Sequence, residues 1–128
     1  SAALTAWRLG AGDTYRAAAQ ELVSAHIGRG IEQPFAHGTL LLVAAGLVDP
    51  PRQVVVVTSS RGGALGQAAW LVDADVTAVV TPAQAQEFAD AGFELFAGKS
   101  AGVELAYDCR AFVCKLPTAD PSALAVQR

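Results

Sequence analysis

"DPPRQVVVVT", residues 49–58, is the stretch where the chain changes its period. Pro50 and Pro51 stop any helix that precedes them, because proline lacks the donor N–H and its ring clashes with the turn before it. From Gln53 to Thr58 the chain is a continuous β-branched run, which predicts a strand covered on both faces. A second such run, "DVTAVVT" from Asp75 to Thr81, lies beyond a segment, Ala64 to Leu71, that is able to form a short helix. Thr81, Pro82 and Gln84 then spell a capping box opening another helix, which Gly92 closes. Strand, helix, strand, helix is the order of a βαβ unit. A third strand is expected in "GVELAYDC" from Gly102, and Asp120 with Pro121 marks the start of a last helix. The fold class read from this half is α/β: residues 52–128 form a small, three-layer-like module with a parallel or mixed sheet of about three to four strands.

Upstream of the prolines the spacing is helical. "TYRAAAQELVSAHIG" places Tyr15, Ala18, Leu22 and Ala25 on one face, with Arg16, Gln20 and Ser24 turned away and Asp13 as a cap. Before it, "ALTAWRLG" sets Leu4, Trp7 and Arg8 on a short helix ended by Gly10 and Gly12. After it, "PFAHGTLLLVAAGLV" opens with Pro34 in a first turn and is apolar on all sides from Leu40 to Val48, the composition of a buried helix. Residues 1–49 are therefore read as a helical segment, separate from the α/β module. "WRLGAGDTY" shares landmarks with a tetratricopeptide unit, but the spacings differ and no second copy follows.

Composition narrows the function classes. Charged residues make up 16% and apolar types 52% of the 128 residues, against about a quarter charged in ordinary soluble domains. So little polar material leaves apolar surface for a neighbouring domain or subunit. The longest uncharged apolar run, Gly38 to Val48, is about half of the roughly 20 residues that cross a bilayer, so no membrane partner is expected. The net charge of −3 comes from scattered acids without a basic run, which excludes nucleic acid. No methionine occurs, so Ser1 is not read as a natural translation start, and a processed or excised chain is expected. Two cysteines are too few for a disulfide scaffold, which favours a reducing, cytoplasmic setting.

The turn "SSRGGALG" after the first run is where an α/β protein would hold phosphate. Arg61 occupies the first glycine position of a dinucleotide fingerprint, and Gln67 stands where a Walker A lysine would be. The free N–H groups of such a helix start still attract anions, so Ser59, Ser60, Arg61, Gly62 and Gly63 are candidate ligand-binding residues, with Thr81 at the neighbouring strand end. His37, at the head of the apolar helix, is a further candidate, whereas His26 reads as a surface group. No histidine or acid stands at metal-ligand spacing, no G-x-S-x-G elbow appears, and no cofactor is implied.

Cys109 and Cys114 are the candidate redox pair. Four residues separate them, unlike the C-x-x-C of thiol-disulfide enzymes. In one extended strand their ends lie about 16 Å apart at ~3.3 Å per residue, far beyond the roughly 4.4–6.8 Å a disulfide spans. Only a tight reversal at "RAFV" joins them, and those residues are poor turn formers. Structural, reduced thiols are the leading reading, a reversible disulfide the second and a metal clip the third.

The closing segment "AYDCRAFVCKLPTADPSAL", residues 106–124, carries Tyr107, Cys109, Phe112, Cys114, Pro117, Asp120 and Pro121. This Tyr-x-Cys, Phe-x-Cys, x-x-Pro, Asp-Pro pattern resembles the end of the thioredoxin-domain-containing family that includes spermatogenesis-associated protein 20. "DPPRQVVVVT" and "LGAGDTYRAAA" from Leu9 extend the resemblance upstream in the same order, although Thr58 and Ser59 stand where relatives often carry a glycine and an acid. The resemblance implies a larger parent: an N-terminal thioredoxin-like domain, a six-hairpin (α/α) barrel similar to glycosidases and N-acylglucosamine 2-epimerases, and this C-terminal part. Residues 1–49 would then be the last hairpin of the toroid. The first functional expectation is a non-catalytic structural or interaction module that packs on the thioredoxin-like and six-hairpin domains, with self-association through Leu40 to Val48 as a corollary. The second is a redox-responsive module in which Cys109 and Cys114 exchange with the thioredoxin-like domain. The third is a sugar or phosphate site at the strand ends.

Overall fold

A computed structural model of the chain describes residues 2–34, 37–100 and 104–125. Three helices come first, α1 (Ala2–Arg8), α2 (Asp13–Glu32) and α3 (Gly38–Val48). Then follow β1 (Arg52–Val57), α4 (Ala64–Trp70), β2 (Val76–Val80), α5 (Pro82–Asp90), a 3₁₀ turn (Glu94–Phe96), β3 (Leu105–Arg110), β4 (Val113–Cys114) and α6 (Pro121–Ala125). The sheet is mixed and four-stranded in the order β2-β1-β3-β4, with β1 parallel to β2 and antiparallel to β3.

β1 is the centre, and its valines follow from that place. Val54 to Val57 are all fully buried. Val55 and Val57 meet Ala85, Leu95 and Phe96 on one face, while Val54 and Val56 meet Leu65, Ala69 and Leu124 on the other. Helices thus cover both faces, as a parallel pair joined by a crossover requires. α4 approaches β2 so closely that a Cβ on Gly66 would sit 3.2 Å from Val79 and 2.5 Å from the Arg61 carbonyl oxygen. β2 is less covered than its sequence suggests: only Val80 is buried, because this strand is an edge of the sheet. The capping box at α5 forms as read, with the Thr81 hydroxyl accepting from Gln84 N and the Gln84 side chain accepting from Thr81 N.

The helical unit departs from its expected faces. Its core is Leu4, Trp7, Ala19, Val43 and Leu47, with Val23 packed against it. α2 therefore turns its Arg16, Ala19 and Val23 side inward, while Tyr15, Ala18, Leu22 and Ala25 face out. Arg16 explains the inversion: its guanidinium lies 5.2 Å over the Trp7 ring and donates to the Leu47 carbonyl at 3.1 Å. A cation on an aromatic face and a helix C-terminal carbonyl are both favourable partners, so the arginine face packs. α2 also runs beyond Gly28 to Glu32, and Asp13 is its first residue rather than its cap. In α3 only Val43 and Leu47 are buried; Leu42 is 75% and Val48 81% exposed, so the helix is not fully buried within this chain, and its composition leaves burial in a larger parent as the expectation. Pro34 lies outside that helix, and Phe35 and Ala36 fall outside the described residues.

One side chain ties the helical unit to the sheet. Gln53 is fully buried; its Nε2 donates to the Arg8 carbonyl at the end of α1, and its Oε1 accepts from Phe112 N at 3.0 Å. Beside it the α1–α2 turn docks on the 3₁₀ turn. Glu94 N donates to Gly10 O at 3.0 Å, and Gly10 holds a φ of +85. A Cβ there would lie 2.7 Å from Leu95 N, so glycine serves both the conformation and the approach. Arg8 adds an ion pair to Asp75 at 3.3 Å. Among the described residues no helix is long and apolar enough to cross a membrane. The strand expected from Gly102 is observed from Leu105, Gly102 and Val103 lying outside the described residues.

Gln53→Ala leaves the part-buried Arg8 carbonyl and Phe112 N–H without this partner and opens a gap in the core. Urea unfolding is expected to show a loss of about 2 kcal/mol or more; a loss below about 0.5 kcal/mol, the scale of a surface change, would show that the amide bridge does not hold the two units.

Candidate functional site

Two places gather the chemistry foreseen in the sequence. The first is the loop after β1. Thr58 is buried at the strand end, and its hydroxyl donates to Glu104 Oε1. The same carboxylate oxygen accepts from Ser59 N at 3.2 Å and from the Ser59 hydroxyl at 3.3 Å. Ser60 N donates to Thr58 Oγ1 at 3.0 Å, Gly63 N to Ser60 O at 3.0 Å, and Gly62 O accepts from Gln67 Nε2 at 2.8 Å. The Thr58 hydroxyl and the Ser59 amide and hydroxyl are thus engaged by the chain's own carboxylate, and the Ser60 and Gly63 amides by other oxygens of the loop. An external anion seated on the Thr58 and Ser59 donors would have to displace Glu104, with the exposed Arg61 in the same loop. His37 is half-buried at the head of α3 and makes no side-chain cap; a Cβ on Gly30 of α2 would lie 3.8 Å from its own. Among the described residues no hydrogen bond or ion pair joins it to the Ser59–Gly63 loop.

Glu104 carries no motif in the sequence, where it is one acid in an alternating run. It stands at φ +58, a left-handed position that sets the side chain toward the loop. The Thr58 hydroxyl, followed by the Ser59 amide and hydroxyl, holds its carboxyl below the ordinary 4.5 despite some opposing desolvation.

The second place is the hairpin of β3 and β4. Cys109 and Cys114 stand directly opposite each other and are joined in a disulfide, their Cα atoms 3.9 Å apart. The pairs on either side are hydrogen-bonded, Arg110 with Val113 at the turn and Lys115 N to Asp108 O at 2.9 Å. Cross-strand side chains come closest at the non-hydrogen-bonded pair between two such pairs. The reading of one extended strand with reduced cysteines is thereby corrected: the chain reverses at "RAFV". It does so with Ala111 at φ +47 and Phe112 at φ +69, the left-handed conformation that two-residue hairpin turns demand. For side chains other than glycine this costs about 1–2 kcal/mol per residue. Context offsets it. Ala111 N donates to Pro51 O at 2.9 Å, Phe112 N reaches Gln53, and the Phe112 ring stands edge-on to Trp7 with centroids 6.4 Å apart. Cys109 is buried in the core beside Val55 and Phe96, whereas Cys114 is half-buried at the edge. Thiol-disulfide chemistry therefore has one reachable sulfur, that of Cys114.

A cleft of about 750 Å³ opens at the start of β1, the end away from the Ser59–Gly63 loop, between Arg52, Arg110, Asp73, Asp75, Leu71 and Leu124. One of its lining residues, Arg52, belongs to an ion-pair network. Arg52 reaches Asp108 through both Nε at 3.3 Å and a terminal nitrogen at 3.2 Å, and Lys115 approaches the same carboxylate at 3.7 Å. Arg52 N donates to Asp75 Oδ2 at 2.8 Å. On the other side of the sheet Lys99, 7% exposed, lies 5.3 Å over the Tyr107 ring; burial pushes its ammonium below 10.5, with Glu94 opposing.

Because the folded Glu104 pKa is depressed, the carboxylate grips the loop fully above its ordinary value and lets go as pH falls through the lower folded one. A pH titration of the Ser59 amide resonance is expected to show one acidic step in the native chain and none in Glu104→Gln; a step unchanged in the variant would show that another group holds the loop. Comparison of the chain with protein-family models, with curated proteins and with solved structures finds no match.

Proposed function

We propose that this chain is a non-catalytic structural or interaction module, the C-terminal part of a thioredoxin-domain-containing protein, whose helical unit packs on a six-hairpin toroid. The observation that carries it is the outward side of α2 and α3. Leu22 is 49% and Ile31 70% exposed on α2, and Leu42 and Val48 stand out further on α3. Singly exposed apolar residues are ordinary, but helices with a second apolar side after one has been buried have the form of a hairpin between two neighbours. The sparse charge of the chain favours the same reading. In the parent, that side would meet the preceding hairpin; in the chain alone it would meet a second copy.

A second reading rests on the disulfide. Cys109 and Cys114 form a redox-responsive pair, with the thioredoxin-like domain as exchange partner and Cys114 as the sulfur attacked. The pair also bears on compartment, since a cycling disulfide suits the cytoplasm and a permanent one an oxidising space. The third expectation, a sugar or phosphate at the strand ends, draws less support because Glu104 engages the donors it needs.

Light scattering and binding of an apolar dye test the first reading. The native chain is expected to self-associate with rising concentration and to bind dye; Leu42→Lys with Val48→Lys is expected to abolish both while changing stability by no more than about 0.5 kcal/mol per site. A dye-silent monomer would overturn it. For the second reading, maleimide mass counting across glutathione ratios is expected to give one internal disulfide with a midpoint inside the cytoplasmic range; thiols free at every ratio would dismiss it.

A further inference from the structure

We propose that the Cys109–Cys114 disulfide is a redox-released clasp that closes the apolar seam between α1 and the β3–β4 hairpin, and that its reduction exposes Trp7 and Phe112. The inference rests on the second reading above, that the pair cycles between disulfide and dithiol.

The seam is built from few parts. Trp7 is 8% exposed and lies between the Arg16 guanidinium and the edge-on Phe112 ring. Phe112 packs at once against the helical core of Leu4, Trp7 and Val43 and against the sheet core of Val55, Leu95 and Cys109, so it is the side chain shared by both. It reaches that place only through a turn in which two consecutive residues with side chains hold positive φ. The strand beyond the turn is short: β4 contains Val113 and Cys114 only, after which Ala106 with Thr118 forms an isolated bridge. Val113 is 77% and Leu116 93% exposed, so burial of the strand's own side chains does little to keep it in place. What opposes the relaxation of the turn is the covalent link, together with the hydrogen bonds from Ala111 N and Phe112 N, the flanking Arg110–Val113 and Lys115–Asp108 pairs and the packing of the Phe112 ring on Trp7.

Reduction proceeds through the half-buried sulfur. A thiolate of a dithiol reductant attacks Cys114 Sγ, forming a mixed disulfide, and Cys109 leaves as a thiolate that takes up a proton. The reductant's second thiolate then attacks its own sulfur in the mixed disulfide, releasing Cys114, which is protonated in turn, and the reductant becomes a disulfide. Two electrons and two protons pass to the chain. The closed loop then loses its cross-link, the turn gains the conformations its residues favour, and Phe112 leaves the Trp7 ring. Gln53 keeps its bond to Arg8 and loses the one from Phe112.

The experiment uses the full chain with Trp70→Phe. Trp70 is 62% exposed, so removing it leaves Trp7 as the sole indole without touching the core. Thiol counting, Trp7 emission and amide exchange are followed together under dithiothreitol. On reduction, Trp7 emission is expected to shift to the red and the Ala111 and Phe112 amides to exchange roughly ten- to a hundredfold faster, while the amides of Val54 to Val57 keep their protection. Cys109→Ser with Cys114→Ser is expected to match the reduced protein and to ignore reductant. Ala111→Gly, which relieves the turn at its φ of +47, is expected to diminish the red shift of the reduced form. Reduction with an unmoved Trp7 would overturn the clasp and leave the redox reading standing. A disulfide that dithiothreitol does not open would overturn both. Loss of protection in Val54 to Val57 together with the red shift would show a general staple of the fold, and would also overturn the clasp.

Discussion

The amide of Gln53 is the point through which the two halves of the molecule hold each other. A primary amide offers a donor and an acceptor on one rigid plane, and here each meets a backbone group: the last carbonyl of α1 and the N–H of a turn residue. The Gln53 amide is fully buried and must be paired, so the position of α1 and the position of the hairpin turn are fixed by the same side chain. The Trp7–Phe112 contact, the disulfide register and the docking of Gly10 on the 3₁₀ turn all lie around it. The helical unit and the sheet module are distinct in sequence period, yet they share this polar joint.

The strong local signals of the sequence translate directly into structure. Two β-branched runs separated by a helix give the parallel pair, because strands with apolar side chains on both faces require covering layers. Thr81, Pro82 and Gln84 give a helix start because the Thr81 and Gln84 side chains each accept from a backbone N–H of the first turn, while Pro82 sits where an N–H would have no partner within the helix. Where two side chains compete for one place, sequence spacing does not decide. α2 carries an apolar stripe and an arginine-alanine stripe, and the second packs inward because Arg16 finds an aromatic face and a carbonyl that exist only once α1 and α3 are in place. "RAFV" holds no glycine, asparagine or aspartate, so nothing local marks it as a turn. Its reversal is imposed by partners far along the chain, Pro51 and Gln53, and by the cysteine opposite.

The candidate sites divide in the same way. The loop from Ser59 to Gly63 was readable as a place rich in donors, since glycines and serines follow a strand there. That the anion filling it belongs to the protein depends on Glu104, an acid roughly 45 residues downstream whose left-handed backbone conformation has no sequence signature. Arg52 was visible only as the charge ending a proline turn, and it became the centre of an ion-pair network because β3 brings Asp108 beside it. Polar residues at the ends of apolar runs, such as Gln53 and Arg52, are the signal that would have pointed to the joint and the network.

The position of β1 between β2 and β3 sets the order in which the fold can be reached. Its parallel partner follows after one short helix, whereas its antiparallel partner lies roughly 50 residues further along the chain. Closing the larger loop costs more chain entropy, so the βαβ unit forms while the other edge of β1, with Gln53 at its head, still faces water. On a ribosome that edge waits for β3 to emerge, and the cysteines meet only after it has docked. Until β3 has docked, the central strand of this sheet carries an unpaired edge, the feature of the fold most open to pairing with another molecule.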